Sequence, residues 1–353
     1  MSEIDRSVLL AALQAAKPTL APKPYLPAFT HFLLDQDHIT TFDDVTGIQI
    51  DGIPTGITAC VPGELLLRSV SSLSATKLSL DLVGDVLKIH AGRSHLKLNT
   101  LSINDFPFRM PVGKEEIELT PAFFTGLAQC LPLAGADMNH PELMGVYMTS
   151  DDSGNTVLYA SNNATLGRYS VPMSLDFPAD EGVLLPARFC TLLLGLTKSF
   201  GSDEATLSLL YSNGGVMARI KKNVYLFSKL LDDVTLMSYE KTVLRYWEQI
   251  DSSAKVPAEL DAALARAAIM QGDRPETVIQ VKRGTLALSS KCPAGEVVDS
   301  LPLDVEDVPA TVIDPTRLSR ALKLCSHVAL TKNAVCLWSE DKRFRYLVAT
   351  REA

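Results

Sequence analysis

Apolar and polar positions along the chain switch between two periods, and the switching recurs three times. Each third opens with an Ala/Leu-rich stretch of helical period: Asp5–Ala16, Thr120–Leu131 and Pro257–Ile269. In the second of these, Phe124, Leu127, Ala128 and Leu131 fall at i, i+3, i+4 and i+7, which puts them on one helix face. Asp5, Thr120 and Pro257 supply N-terminal signals, because a short acceptor side chain or a proline satisfies or removes a free N–H at a helix start. A second helix follows in each third, over Pro62–Leu73, Pro186–Leu196 and Asp314–Cys325. Phe189, Leu192, Leu193 and Leu196 repeat the stripe, as do Leu318, Ala321, Leu322 and Cys325.

After each second helix the period drops to two. Lys77–Leu82, Gly84-Asp85 and Val86–Ile89 form one strand–turn–strand text. Ala205–Leu210 with Val216–Ile220, and Val328–Leu330 with Ala334–Trp338, form the others. Alternation flanking Gly, Asp or Asn is the hairpin signal. Corresponding helices lie roughly 110 to 140 residues apart, a whole domain each. The pattern predicts an α+β chain of three tandem domains, each with two helices packed on antiparallel sheets. Boundaries are expected near Gly113 and Leu244, giving domains 1–113, 114–244 and 245–353.

Length and composition agree with this division. A chain of 353 residues exceeds one ordinary core, and 46% hydrophobic with 21% charged residues is globular composition. No run approaches the ~18 consecutive apolar residues of a membrane span. The polar start Met1-Ser2-Glu3-Ile4-Asp5 lacks a secretion signal, so a cytoplasmic protein is expected. The six cysteines form no C-x-x-C pair and are expected as buried thiols. A net charge of −8 argues against tight groove-reading of DNA, which needs a strongly basic face. It is compatible with a protein that surrounds DNA without gripping it.

Catalytic chemistry finds no support in the motifs. The chain has no G-x-x-x-x-G-K-[ST] loop, no G-x-G-x-x-G fingerprint, no H-E-x-x-H helix and no G-x-S-x-G elbow. Gly92-Arg93-Ser94 is explained by backbone geometry rather than by a serine nucleophile, although it is placed within a strand. The histidines (His31, His38, His90, His95, His140, His327) show no i, i+4 ligand spacing, so no metal site or cofactor is expected.

The stretch Leu87–Pro107, LKIHAGRSHLKLNTLSINDFP, resembles the bacterial β sliding clamp, the processivity subunit of replicative DNA polymerase. Gly92-Arg93-Ser94 and Asp105-Phe106-Pro107 carry the match. Lys23-Pro24-Tyr25-Leu26-Pro27, Ser228-Lys229-Leu230-Leu231-Asp232 and Tyr346-Leu347-Val348 extend it in register over the chain. The resemblance implies a head-to-tail homodimer closing into a ring, with helices lining the hole and no catalytic site. The partners it implies are double-stranded DNA, and the replicative polymerase and clamp loader through a short peptide motif. The alternative reading is a clamp-like peptide-binding scaffold that does not encircle DNA.

Residue by residue, the DNA-facing candidates are Lys23, Arg68, Lys77, Arg188, Arg266, Arg317, Arg320 and Lys323. Arg317, Arg320 and Lys323 recur every three residues on one helix face. Sparse cations of this kind contact phosphates without reading bases. The resemblance places the partner-peptide groove at Leu166, Met237, Thr242, Arg317, Leu347 and Ala349, so Arg317 is a candidate for both surfaces. Ring closure is expected near Thr76–Leu82 and part of Leu286–Pro302, where edge strands of two copies would pair. The departures from the family text, at Ala160–Leu166, His140–Gly145 and Ala349–Ala353, fall in partner-recognition segments.

Overall fold

The computed structural model describes residues 2–353 except 114–115, 176–181, 202–203, 211–213, 232–240, 242–244, 248–249, 251 and 271–275. The first third runs β1 (Ser2–Asp5), α1 (Arg6–Ala16), β2 (His31–Asp35), β3 (His38–Phe42), β4 (Thr46–Asp51), β5 (Thr58–Pro62), α2 (Gly63–Ser72), β6 (Lys77–Val83), β7 (Val86–Ala91) and β8 (Ser94–Asn99). The second repeats the order as β9 (Ile117–Leu119), α3 (Pro121–Cys130), β10 (Gly145–Ser150), β11 (Thr156–Ser161), β12 (Thr165–Val171), β13 (Gly182–Pro186), α4 (Ala187–Phe200), β14 (Ala205–Leu210), β15 (Gly215–Ile220) and β16 (Val224–Lys229). The third repeats it again as β17 (Ala254–Lys255), α5 (Leu260–Ile269), β18 (Thr277–Lys282), β19 (Thr285–Cys292), β20 (Gly295–Pro302), β21 (Val308–Ile313), α6 (Pro315–Leu322), β22 (His327–Leu330), β23 (Ala334–Trp338) and β24 (Phe344–Ala349), with β25 (Arg351–Glu352) appended. Each third is therefore one β-α-β-β-β-β-α-β-β-β word.

The chain forms two compact units. The first contains residues 1–121 and 188–232 and holds two antiparallel sheets, ordered β1-β6-β7-β8 and β5-β2-β3-β4-β16-β15-β14-β9. The second contains residues 122–187 and 233–353, with sheets β13-β10-β11-β12-β24-β23-β22-β17 and β20-β19-β18-β21-β25. Each eight-stranded sheet thus joins four strands of one third to four of the next. The joints are β4·β16 and β12·β24, the fourth word-strand of one third against the last word-strand of the following third.

Local signals explain the helices. Asp5 caps α1, its carboxylate accepting from the Ser7 N–H at 2.8 Å, and the buried stripe is Leu9, Ala12, Leu13 and Ala16. It packs with α2, whose inward face is Leu66, Leu67 and Val70. Asp314 caps α6 through the N–H groups of Thr316 (3.0 Å) and Arg317 (3.4 Å). Three expectations need correction. Helix α5 begins at Leu260 rather than at Pro257, after a turn closed by Leu260 N–H to the Pro257 carbonyl at 3.0 Å. The sixth helix stops at Leu322, and Cys325 is buried beyond it. In α3 the buried face is Phe123, Phe124, Leu127 and Cys130, while Ala128 is exposed. That rotation is set by Gly126, where an added Cβ would stand 2.5 Å from the Tyr169 ring, so the helix backbone lies directly on β12.

The strands expected near ring closure divide into interior and edge strands. Thr76–Leu82 contributes β6, which pairs on both sides, with β1 and β7, so it is interior. Among the described residues the edge on that side of the sheet is β8. Of Leu286–Pro302, β19 is interior and β20 is the edge. Gly92-Arg93-Ser94 lies at the β7–β8 hairpin rather than mid-strand. Ala91 pairs with Ser94, and Gly92 at φ +60° makes the turn.

Candidate DNA-facing surface and partner groove

The eight cationic candidates divide by what they already touch. Lys23, Arg68, Arg320 and Lys323 are exposed and meet no carboxylate among the described residues. The other four are engaged. Arg188 pairs with Asp43 and donates to the Pro18 carbonyl at 2.8 Å. Arg266 forks onto Asp299 at 2.7 and 3.1 Å, and that carboxylate raises the guanidinium pKa above its usual value. Arg317 pairs with Asp314 at 3.1 Å, and Lys77, on β6, lies 3.5 Å from Glu3. A guanidinium shared with a carboxylate offers a phosphate less than one net charge. Of the eight candidates, those that carry free positive charge on the helices are therefore Arg68, Arg320 and, at the C-cap of α6, Lys323.

The groove candidates Leu166 and Leu347 come together. They face each other directly across the β12·β24 joint, in a transverse row Ser161, Leu166, Leu347, Cys336. Both leucines are buried in one apolar cluster with Tyr147, Tyr159 and Cys336, against which Tyr246, Trp247 and Ile250 pack. Ala349, two residues beyond Leu347 on the same face, is exposed. Arg317 sits differently: its carbonyl accepts from the Tyr346 hydroxyl at 2.9 Å, and Tyr346 projects from the face of β24 opposite to Leu347. Met237 and Thr242 lie outside the described residues.

Sequence reasoning missed the aromatic neighbourhood of this row. A cavity of ≈ 220 Å³ is lined by Trp247, Ile250, Ser253, Trp338, Lys342 and Arg345. The Arg345 guanidinium lies 5.5 Å from the centre of the Trp247 ring, and His327 stacks on Trp338 with centroids 5.7 Å apart. These are the only two tryptophans in the chain, which was the available signal. Also missed was His90 opposite His95 across the β7–β8 hairpin, with Nδ1 atoms 2.6 Å apart. Helical spacing could not reveal it, because the pair meets across strands. Among the described residues no three His, Cys, Asp or Glu side chains gather as a metal site would require. No described helix is long and apolar enough to cross a membrane.

Residues 2–111 match the family model for the DNA polymerase III beta subunit, N-terminal domain. The beta sliding clamp of Vibrio cholerae is 22% identical over 313 residues, covering 86% of this chain and 83% of the relative. That of Proteus mirabilis is 24% identical over 318 residues, covering 84% and 83%. Among solved structures, the DNA polymerase III subunit beta of Pseudomonas aeruginosa superposes with a TM-score of 0.87 at 18% identity, covering 100% of both chains. A putative DNA polymerase III beta subunit from Eubacterium rectale gives 0.86 at 12% identity, covering 99% and 98%. From end to end, this chain has the fold of the bacterial β sliding clamps and resembles them as a divergent relative.

Proposed function

We propose that the protein is a DNA sliding clamp of three domains, divided near Gly113 and Leu244, which closes head-to-tail as a homodimer around duplex DNA. One observation carries the reading. Both eight-stranded sheets are made by pairing the fourth word-strand of one third with the last word-strand of the next, β4 with β16 and β12 with β24. The same rule leaves two strands over: β20, fourth of the third word, and β8, last of the first word. Each is an edge of its sheet among the described residues. Pairing β20 of one copy with β8 of another would complete a third sheet of the same kind, and two copies satisfy both edges. Such heterologous contacts close into a ring when the rotation permits.

Retention on DNA then follows from topology rather than affinity, which suits a net charge of −8. Arg68, Arg320 and Lys323 supply sparse phosphate contacts that leave the ring free to slide. The row Leu166–Leu347, with Ala349 beside it, is where a short peptide of the replicative polymerase or clamp loader would dock. The protein tethers those partners in the cytoplasm and performs no chemistry itself.

The test is to load the chain on nicked circular DNA and then linearise the DNA. Loss of bound protein on linearisation, with a solution mass near twice 38.3 kDa, is the expected result. A stable monomer that still binds polymerase peptides would replace the ring with a non-encircling scaffold.

A further inference from the structure

The two eight-stranded sheets repeat in detail. The row Ser161, Leu166, Leu347, Cys336 in the second unit corresponds, strand for strand, to Phe42, Gly47, Phe227, Met217 in the first. The turns entering the joints match as well. Lys229 N–H donates to the Val45 carbonyl at 2.9 Å, as Ala349 N–H donates to the Ala164 carbonyl at 2.9 Å. By register, Phe227 is therefore the counterpart of Leu347, and Lys229 of Ala349.

A cavity of ≈ 280 Å³ opens at this place in the first unit. Its lining includes Tyr25, Leu26, Phe108, Arg109, Phe227 and Lys229. Gly47 has no side chain to offer the row. Phe108 takes that space, stacked on Phe42 with centroids 4.2 Å apart, and a Cβ at Gly47 would come within 2.9 Å of it. Tyr25 at 71% and Leu26 at 38% remain exposed on the rim. The volume is close to the lower bound for ligand pockets, enough for a side chain or two.

Charge on the rim selects the occupant. Asp44 is held by Lys229 at 3.2 Å, and its carboxylate raises the pKa of the Tyr25 phenol above the ordinary value. Arg109 donates to the Phe108 carbonyl at 3.1 Å and meets no carboxylate among the described residues. One positive charge is thus left beside an aromatic hollow. We propose that this hollow is a second docking groove, taking an extended peptide segment of a partner protein in which an aromatic or aliphatic side chain adjoins a carboxylate. The apolar side chain enters between Phe108, Phe227 and Tyr25, and the carboxylate meets Arg109. A chain with two such grooves can hold two partner segments at once, or two segments of one partner, where linkage raises the effective concentration.

The site stands independently of the ring, so its test uses peptide alone. The full chain is irradiated with the synthetic hexapeptide Glu-Glu-Leu-(p-benzoylphenylalanine)-Glu-Glu, and cross-links are mapped by mass spectrometry. Cross-links within residues 25–29, 107–111 and 227–229 are expected. They should fall about tenfold in the double variant Tyr25→Ala/Arg109→Glu and with a lysine-flanked version of the peptide. Both substituted residues are exposed, so folding is expected to survive, and circular dichroism checks it. Cross-links confined to the Leu166–Leu347 row, labelling indifferent to the double variant or to peptide charge, or no cross-links at about 1 mM peptide would overturn the second groove. None of these results bears on retention of the protein by circular DNA, which tests the ring separately.

Discussion

Asp43 and Asn162 hold the same position of the same turn in two different sheets. The Asp43 carboxylate accepts from the N–H groups of Val45 at 3.1 Å and Thr46 at 2.8 Å. The Asn162 amide oxygen accepts from Ala164 at 3.2 Å and Thr165 at 2.9 Å. The next residue is left-handed in both, Asp44 at φ 87° and Asn163 at φ 68°. Removing either acceptor leaves two turn N–H groups to find other partners, so Asn162→Ala should cost about 1 kcal/mol. Asp43→Ala should cost more, because Asp43 also pairs with Arg188. Urea midpoints of the two variants should fall in that order; the reverse order would mean that the Asp43–Arg188 pair adds less than the bond that the Thr165 hydroxyl donates to Asn162 at 2.9 Å.

Arg168 and Asp151 make a second measurable pair. The Arg168 Nε donates to the Tyr159 hydroxyl at 3.0 Å, and its Nη2 lies 3.3 Å from an Asp151 oxygen. The two side chains are 8% and 14% exposed. Burial lowers the guanidinium pKa, and Asp151 opposes that shift. Asp151→Asn keeps an acceptor for the N–H groups of Ser153 and Asn155 but removes the Asp151 charge from beside the buried cation. A loss of about 3 kcal/mol is expected. Arg168→Met removes the charge with its desolvation cost and should be milder. Equal losses would show that packing, not charge, sets the cost.

How far the sequence carried can be seen at particular residues. The repeated word was legible because helical and strand periods alternate, and because Asp5 and Asp314 announce their helices. That Leu166 and Leu347 are buried was also legible, each being an apolar position in a strand pattern, and they pair across β12 and β24. The orientation of α3 was not legible, since it depends on Gly126 meeting Tyr169, 43 positions on by the numbering. Nor was the edge role of β8. A strand of alternating pattern looks alike at the centre and edge of a sheet, so Thr76–Leu82 was as good a candidate until the order β1-β6-β7-β8 was known. The Trp247–Trp338 cavity and the Phe42–Phe108–Phe227 hollow assemble residues from remote segments, which no local period encodes.

The thiols give a chemical test of the core. Burial raises the Cys60, Cys325 and Cys336 pKa values to about 12, with Asp105 adding to the effect at Cys60. Cys130 and Cys190 are buried as well, and Cys292 alone is half-exposed. Thiolate is the reactive form, so alkylation should follow exposure. Iodoacetamide on the native protein at pH 8 is expected to modify Cys292 only, by peptide mapping, and all six cysteines in urea. Rapid native labelling of Cys60 would mean that the first third opens locally around β5.

His31 should give the fold a measurable dependence on mildly acidic pH. Its ring is partly buried at the start of β2, and burial lowers its pKa below the ordinary 6.5, with a contact to the Pro27 carbonyl opposing. The Nδ1 atom lies 2.8 Å from that carbonyl and 3.0 Å from the Thr30 hydroxyl. The unfolded chain therefore takes up a proton at a higher pH than the folded one does. Any stability tied to this difference is present above pH 6.5 and drains away as pH falls through that value toward the folded pKa. Carboxylates also titrate as acid is added, so a single curve would not isolate the histidine. The difference between wild type and His31→Gln does, because the other groups cancel to first order. Between pH 7.5 and 5.5, the urea midpoint of wild type should fall further than that of the variant. Parallel declines would mean that His31 titrates alike in both states, and that its contact with Pro27 offsets burial in full.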